Sequence, residues 1–283
     1  MAFLIDRETR IVVQGLTGAT GRLGAEMMEA GGATIVAGVT PGKGGSAVGA
    51  IPVFDTVEEA KLAGGTASIL FVPAGLLRDA ALEAIDAGMD PIVLMVDGVP
   101  LDISLELVSA ARAAGITLIG PNSPGVISPG QSLLGALRPD FYAPGAMALI
   151  SRSGGMMTTI AYQLTEAGVG QSTCVGVGGD AVIGLDVPAA ALLAQADPET
   201  DRMLVFGEVG TGQEERLAAL VREGAISKPV YAYIAGAAAP AGKRYSHAGA
   251  SSDESGGGAE GKRRVLREAG ITVLDRYIDA RDI

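Results

Sequence analysis

Tryptophan is absent from the 283 residues, cysteine and histidine occur once each, and aromatic side chains make up only 4% of the chain. The single thiol, Cys174, cannot close an internal disulfide, so the sequence reads as one made for the reducing cytoplasm. One histidine and one cysteine give no metal-ligand cluster, and no metal is expected on this chain. Basic residues are the minority, with 21 Lys and Arg against 32 Asp and Glu and a net charge of −11. Such a surface repels phosphate backbones and anionic lipid, so neither nucleic acid nor membrane is expected as a partner. An anionic small ligand would need a local cationic pocket. No apolar run reaches the roughly 18 residues that span a bilayer, and the opening MAFLIDRETR lacks the apolar core of a signal peptide.

Glycine, by contrast, is abundant at 42 residues, and hydrophobic residues make up 48%, which points to a globular protein with tight turns and close backbone approaches. The length suffices for two compact domains. Short β-rich runs at 10–14, 34–39, 68–72, 91–96 and 116–119 alternate with helical patterns at 22–30, 57–63, 76–87 and 101–114. That alternation predicts a parallel sheet in a doubly wound α/β domain over 1–125. A Pro- and Gly-rich stretch over 126–145 reads as a connector. Alternation then restarts, with strands at 147–150, 172–176, 203–206, 229–234 and 271–274. Helices are expected at 155–166, 188–195, 214–222 and 262–269. A long irregular segment over 235–261 holds the only histidine, His247. The expectation is two consecutive doubly wound domains, the second over 146–283.

QGLTGATG at 14–21 joins the first strand to the first helix. Its glycines permit a tight turn, and the helix start offers N–H groups to a phosphate. The loop after the second strand, VTPGKGG at 39–45, lacks the acidic residue that usually holds an NAD ribose and carries Lys43 instead. A lysine there suits the extra ribose phosphate of NADP or coenzyme A. A second strand–glycine–helix junction, SRSGG at 151–155, either binds a phosphoryl group or simply caps its helix through Ser153. Glu208, in FGEVG after an apolar strand, is either an exposed turn glutamate or a carboxylate on the ligand-binding edge. In the second case it can hold one imidazole nitrogen while the other attacks phosphorus. His247 sits among Gly, Ala and Ser, with no apolar periodicity to suggest a core position.

QGLTGATG, VTPGKGG, PVFDTVEEA at 52–60, EAIDAG at 83–88, GPNSPG at 120–125, SRSGG, GQSTCVGVGGD at 170–180, GEVG at 207–210 and AGKRYSHAGA at 241–250 occur in this order. Together they resemble the α subunit of succinate–CoA ligase and its relatives acting on malate or citrate. The resemblance implies a Rossmann-like CoA-binding domain followed by a flavodoxin-like ligase domain. It implies that Thr17, Gly18, Ala19, Thr20 and Lys43 contact CoA, and that Met95, Val96 and Asp97 replace a third CoA-contacting segment usually rich in Ile and Thr. His247 matches the histidine that is phosphorylated, and Glu208 the carboxylate that positions it. Ser153, Gly154 and Gly155 match the helix start that receives the phosphohistidine. ATP or GTP with Mg would sit on a separate ATP-grasp β subunit, in an αβ or (αβ)₂ assembly.

The sequence also departs from the pattern. Ser123 replaces a cysteine. SRSGGM at 151–156 is similar to ATP-citrate lyase and citryl-CoA synthetase, with Thr158 where succinate-specific members carry a tyrosine. The smaller side chain leaves room for a larger or hydroxylated acid. The expected activity is thus carboxylate–CoA ligation of succinate, malate or citrate through an acyl phosphate and a phosphohistidine. The alternatives are an NADP-dependent oxidoreductase and a non-catalytic CoA-binding protein.

Overall fold

The computed structural model describes residues 3–236 and 258–283. Two compact units emerge, one of Leu4–Pro139 with Val182–Gly184, the other of Asp140–Ala181 and Leu185–Ile283 with Phe3.

In the first unit the elements are β1 (Arg10–Gln14), α1 (Ala19–Ala30), β2 (Thr34–Val39), β3 (Ala47–Val48), β4 (Ile51–Phe54), α2 (Val57–Leu62) and β5 (Ala67–Leu70). They continue with α3 (Leu77–Asp86), β6 (Ile92–Leu94), α4 (Leu101–Ala114), β7 (Leu118–Ile119), β8 (Gly125–Ser128) and β9 (Ser132–Gly135). The sheet order is β3-β4-β2-β1-β5-β6-β7. Only β3 runs antiparallel to its neighbour. Leaving it aside, the parallel strands follow the order 3-2-1-4-5-6 of the dinucleotide-binding Rossmann fold. Chemistry at the helix ends fixes several boundaries. Thr56 and Glu59 form a capping box at the start of α2, and Gly115, at φ +70°, ends α4. On α3, Leu77, Ala81, Ala84 and Ile85 are buried at helical spacing, so one face packs inward.

Residues 126–145, expected as a connector, include most of an antiparallel hairpin of β8 and β9, whose strand residues are all buried. β3 and β4 also went unforeseen, since Pro52 interrupts a run of only four residues.

The second unit contains β10 (Pro144–Ser151), α5 (Gly154–Glu166), β11 (Gln171–Gly176), α6 (Val187–Ala196), β12 (Arg202–Glu208), α7 (Gln213–Arg222), β13 (Val230–Ala235), α8 (Ala259–Glu268) and β14 (Thr272–Val273). Its strands lie in the order β14-β13-β12-β10-β11, all parallel. Counted along the chain from the far edge, this is the 2-1-3-4-5 order of flavodoxin-like folds. β11 is buried at every position, as a strand covered on both faces must be. No helix among the described residues is long and apolar enough to cross a membrane.

Candidate functional site

In open α/β sheets ligands settle at the carboxyl ends of the strands, where the strand order reverses. The first unit reverses between β1 and β5. Gln14 pairs with both Val39 and Leu70, and Leu70 with Leu94, so residues 15–18, 40–43, 71–73 and 95–97 leave one common edge. Gly15 adopts φ +79°, and a Cβ there would stand 2.4 Å from the carbonyl oxygen of Phe71. A Cβ on Gly21 would stand 2.3 Å from the oxygen of Gly15. The chain's own backbone therefore demands these two glycines, and their absence of side chain lets α1 start directly off β1. Gly18 caps α1 without a side-chain hydrogen bond, which leaves the first-turn N–H groups to a ligand or to water.

Two clefts open around this helix start. One, of about 380 Å³, is lined by Gln14, Thr17, Thr40, Pro41 and Glu83 among others. The other, of about 610 Å³, is lined by Ala19, Thr20, Met95, Val96 and Asp97 among others. Both volumes fall in the range of small-molecule sites. Gly18 and Phe71, Val72 and Pro73 line both clefts, so the two share a wall. The Thr17 hydroxyl donates to that of Thr40 at 3.2 Å, and Thr40 donates to the Val39 carbonyl at 2.8 Å, which closes the rim of the first cleft. Lys43 lines neither. It is exposed in the turn after β2, where its N–H donates to the Thr40 carbonyl at 3.0 Å. Sequence reasoning missed residues 71–73. The signal was available, since they follow a strand that pairs with β1.

The second sheet reverses between β10 and β12. Ser151 pairs with Phe206 across these strands, so Ser153 and Glu208, each two residues further on, face the same edge. Ser153 caps α5, its Oγ accepting the Met156 N–H at 3.4 Å. Ser151 secures the turn by accepting the Ser153 N–H at 3.1 Å and donating to the Ser153 carbonyl at 2.8 Å. Gly154 and Gly155 lie in the first turn, where N–H groups have no intrahelical acceptor. Among the described residues, a Cβ on Gly155 would meet nothing within 4 Å. Thr158 turns inward. Its hydroxyl donates to the Gly154 carbonyl at 3.2 Å and lies 3.2 Å from the hydroxyl of Tyr142. Tyr142 is buried, and burial pushes its phenol well above the usual value.

Glu208 is the last residue of β12 and only 8% exposed, which removes the reading as an exposed turn residue. Its Oε1 stands 3.1 Å from Nε of Arg152, an ion-pair distance, although the N–H is not aligned for a hydrogen bond. Its backbone N–H donates to Oε1 of Glu214 at 3.2 Å. Glu214 in turn accepts from the Lys262 ammonium at 2.6 Å, and both side chains have no exposed surface. Lys262 also pairs with Glu215 at 2.9 Å and donates to the Thr211 carbonyl. Neither Arg152 nor Lys262 was singled out from the sequence. Arg152 stands among small polar residues, and Lys262 in a charged run. The spacing of Ala259, Lys262 and Leu266, the buried positions of α8, was the available clue.

His247 lies outside the described residues. The ends of the chain around it are described: Ala235 pairs with Glu208, and Lys262 reaches Thr211 and Glu214.

A CoA-binding domain family matches residues 6–98, and a CoA-ligase family matches residues 150–272. The chain is 46% identical over 274 residues to an α subunit of succinate–CoA ligase (ADP-forming) from Archaeoglobus fulgidus, covering 96% of this chain and 95% of that one. It is 41% identical over 278 residues to the α subunit of malate–CoA ligase from Methylorubrum extorquens, covering 96% and 94%. Its fold is similar to that of ATP citrate lyase from Methanothrix soehngenii, solved with citrate and coenzyme A, with a TM-score of 0.89 at 23% identity. That match covers 99% of this chain and 49% of the lyase chain, so the chain spans about half the length of the lyase.

Proposed function

This chain belongs to the succinate–CoA ligase α-subunit family, and from that premise we propose that it is the CoA-binding, phosphoryl-carrying half of a nucleotide-dependent carboxylate–CoA ligase. The supporting observation is a convergence at the second sheet's reversal point. The start of α5 and the buried Glu208 share that edge, and the chain enters 237–257, which contains His247, two residues after the strand partner of Glu208.

In this reading Glu208 accepts the N–H of one imidazole nitrogen of His247, and the other nitrogen carries the phosphoryl group. The N–H groups of Gly154 and Gly155 and the dipole of α5 meet the charge of that group. Transfer to an oxygen of the acid's carboxylate frees the imidazole and yields an acyl phosphate. The first unit fits CoA, whose adenosine and phosphates suit the clefts around the start of α1, with Lys43 available to the ribose phosphate. Bound there, CoA supplies the thiol that attacks the acyl carbonyl, and inorganic phosphate leaves with the thiol's proton. The nucleotide, ATP or GTP with Mg, belongs to an ATP-grasp β subunit in an αβ or (αβ)₂ assembly.

The acid is a small di- or tricarboxylate, succinate or malate first, since relatives named for each are similar to this chain at comparable identity. Thr158 shapes that pocket through its size, because its hydroxyl proton is already engaged by Gly154. The test is labelling of the chain, together with its β partner, by ATP carrying a radioactive γ-phosphate. Wild type acquires an acid-labile phosphate, and His247→Asn acquires none. Full labelling of that variant would overturn the reading.

A further inference from the structure

We propose that Asp55 is a positioning residue that fixes the turn carrying Lys43, and so sets the preference for a ligand with a ribose phosphate, an inference that rests on the CoA reading above. Thr40 and Pro41 line the first cleft, and Lys43 follows in the turn between β2 and β3. β4 laces this turn down. The N–H of Thr40 donates to the Phe54 carbonyl at 3.0 Å, that of Gly45 to the Val53 carbonyl at 3.1 Å, and that of Val53 to the Ser46 carbonyl at 2.9 Å. Lys43 is held through both its backbone groups. Its N–H donates to the Thr40 carbonyl at 3.0 Å, and its carbonyl accepts the Ser46 N–H at 3.2 Å and the Ser46 hydroxyl at 2.6 Å.

The next N–H, on Gly44, donates to Oδ1 of Asp55 at 2.8 Å. The fit is close, since a Cβ on Gly44 would stand 2.5 Å from Oδ2 of Asp55 and 2.7 Å from its carboxyl carbon. Asp55 is fixed in turn. Its own N–H donates at 3.1 Å to Oε2 of Glu59, the residue that closes the capping box of α2. By charge alone, a carboxylate in this turn works against an anionic ligand. As an acceptor it works the other way. A fixed turn presents the Lys43 ammonium from one backbone position, so less conformational freedom is lost when a phosphate binds. Substitution separates the two effects. Asp55→Asn keeps an oxygen for the Gly44 N–H and removes the charge, whereas Asp55→Ala removes both.

The experiment is equilibrium binding of CoA and of dephospho-CoA, which lacks the ribose phosphate, to the full-length chain. Wild type prefers CoA. Asp55→Ala lowers that preference about 3- to 10-fold, the factor that one hydrogen bond's net contribution corresponds to, and leaves dephospho-CoA binding unchanged. Asp55→Asn binds CoA at least as tightly as wild type. Adding Asp55→Ala to Lys43→Ala changes the preference no further than Lys43→Ala does alone, because the first acts through the second. Equal weakening of both ligands by Asp55→Ala, an unchanged preference in it, or an Asn variant as weak as the Ala variant overturns the proposal. Should Asp55→Ala fail to fold, judged by its circular dichroism, Gly44→Ala takes its place. Its methyl group displaces the Asp55 carboxylate, and the same loss of preference is expected, with an unchanged preference again overturning the proposal. A wild type that binds CoA without preferring it to dephospho-CoA overturns the assignment of Lys43 to the ribose phosphate, and a wild type that binds neither overturns the CoA reading itself; the proposal falls with either.

Discussion

Cys174 and Tyr142 are the clearest case of burial altering single residues. Both lie in the second unit, Cys174 with no exposed surface and Tyr142 at 7%. Desolvation is the largest cause of the upward shift in each, because the interior disfavours thiolate and phenolate. For an acid held neutral, the sign runs against high pH. The unfolded chain gives up its protons near the ordinary values of about 9 and 10, while the native chain retains them. Stability is therefore full below pH 9 and declines as pH rises beyond it. Urea midpoints measured from pH 7 to 11 should fall above pH 9, and Cys174→Ala combined with Tyr142→Phe should flatten the decline. An unchanged slope in that double variant would contradict the assignment. Composition showed that the cysteine forms no internal disulfide; its burial follows from a place on β11, a strand with no exposed position.

At the scale of elements, α8 is held to the rest of the second unit by an interaction that its charged sequence conceals. Lys262, fully buried, reaches Glu214 and Glu215 at the start of α7, and Thr211 just before it. Glu215 is about a third exposed, so its share is screened and small. Glu214 is fully enclosed, and Lys262→Met would leave its carboxylate without the ammonium. The expected cost is about 3–5 kcal/mol, read as a lower midpoint in chemical denaturation; a loss below about 1 kcal/mol would show that Glu214 finds another partner. The long amphipathic helices were legible because their apolar spacing is local, and α4 spans the residues expected of it. The short strands β3, β4, β8 and β9 were not, because they owe their existence to pairing. A four-residue run such as Ile51–Phe54 becomes a strand only when Val53 and Phe54 find Gly38 and Val39.

For the molecule as a whole, the strand orders carry the functional argument. A Rossmann order in the first unit is compatible with either a dinucleotide or CoA. Lys43, where an acid would serve NAD, suits NADP and CoA alike, and the match to a CoA-binding domain family favours CoA. Equilibrium binding to the full-length chain should therefore show CoA bound at least tenfold tighter than NADP, a difference of about 1.4 kcal/mol. Equal or reversed affinities would restore the oxidoreductase reading. With a net charge of −11, attraction for the anionic ligand must come from local helix starts and from Lys43, so binding should weaken in Lys43→Ala.

His247 was the most conspicuous residue of the sequence, and the register of β10, β12 and β13 supplies its proposed setting. The sequence by itself determined the alternation of strands and helices, the division into two α/β units, the glycines at 15 and 21, and the cap at Ser153. Each depends on a residue and its near neighbours in the chain. The tertiary structure alone decided that Glu208 is buried, that Arg152 faces it, and that Lys262 closes on Glu214. Those facts depend on which strands lie side by side and on how much water is excluded between them. Arg152 is 56 positions from Glu208 and Lys262 is 48 from Glu214, and no local pattern records a pairing made across that separation.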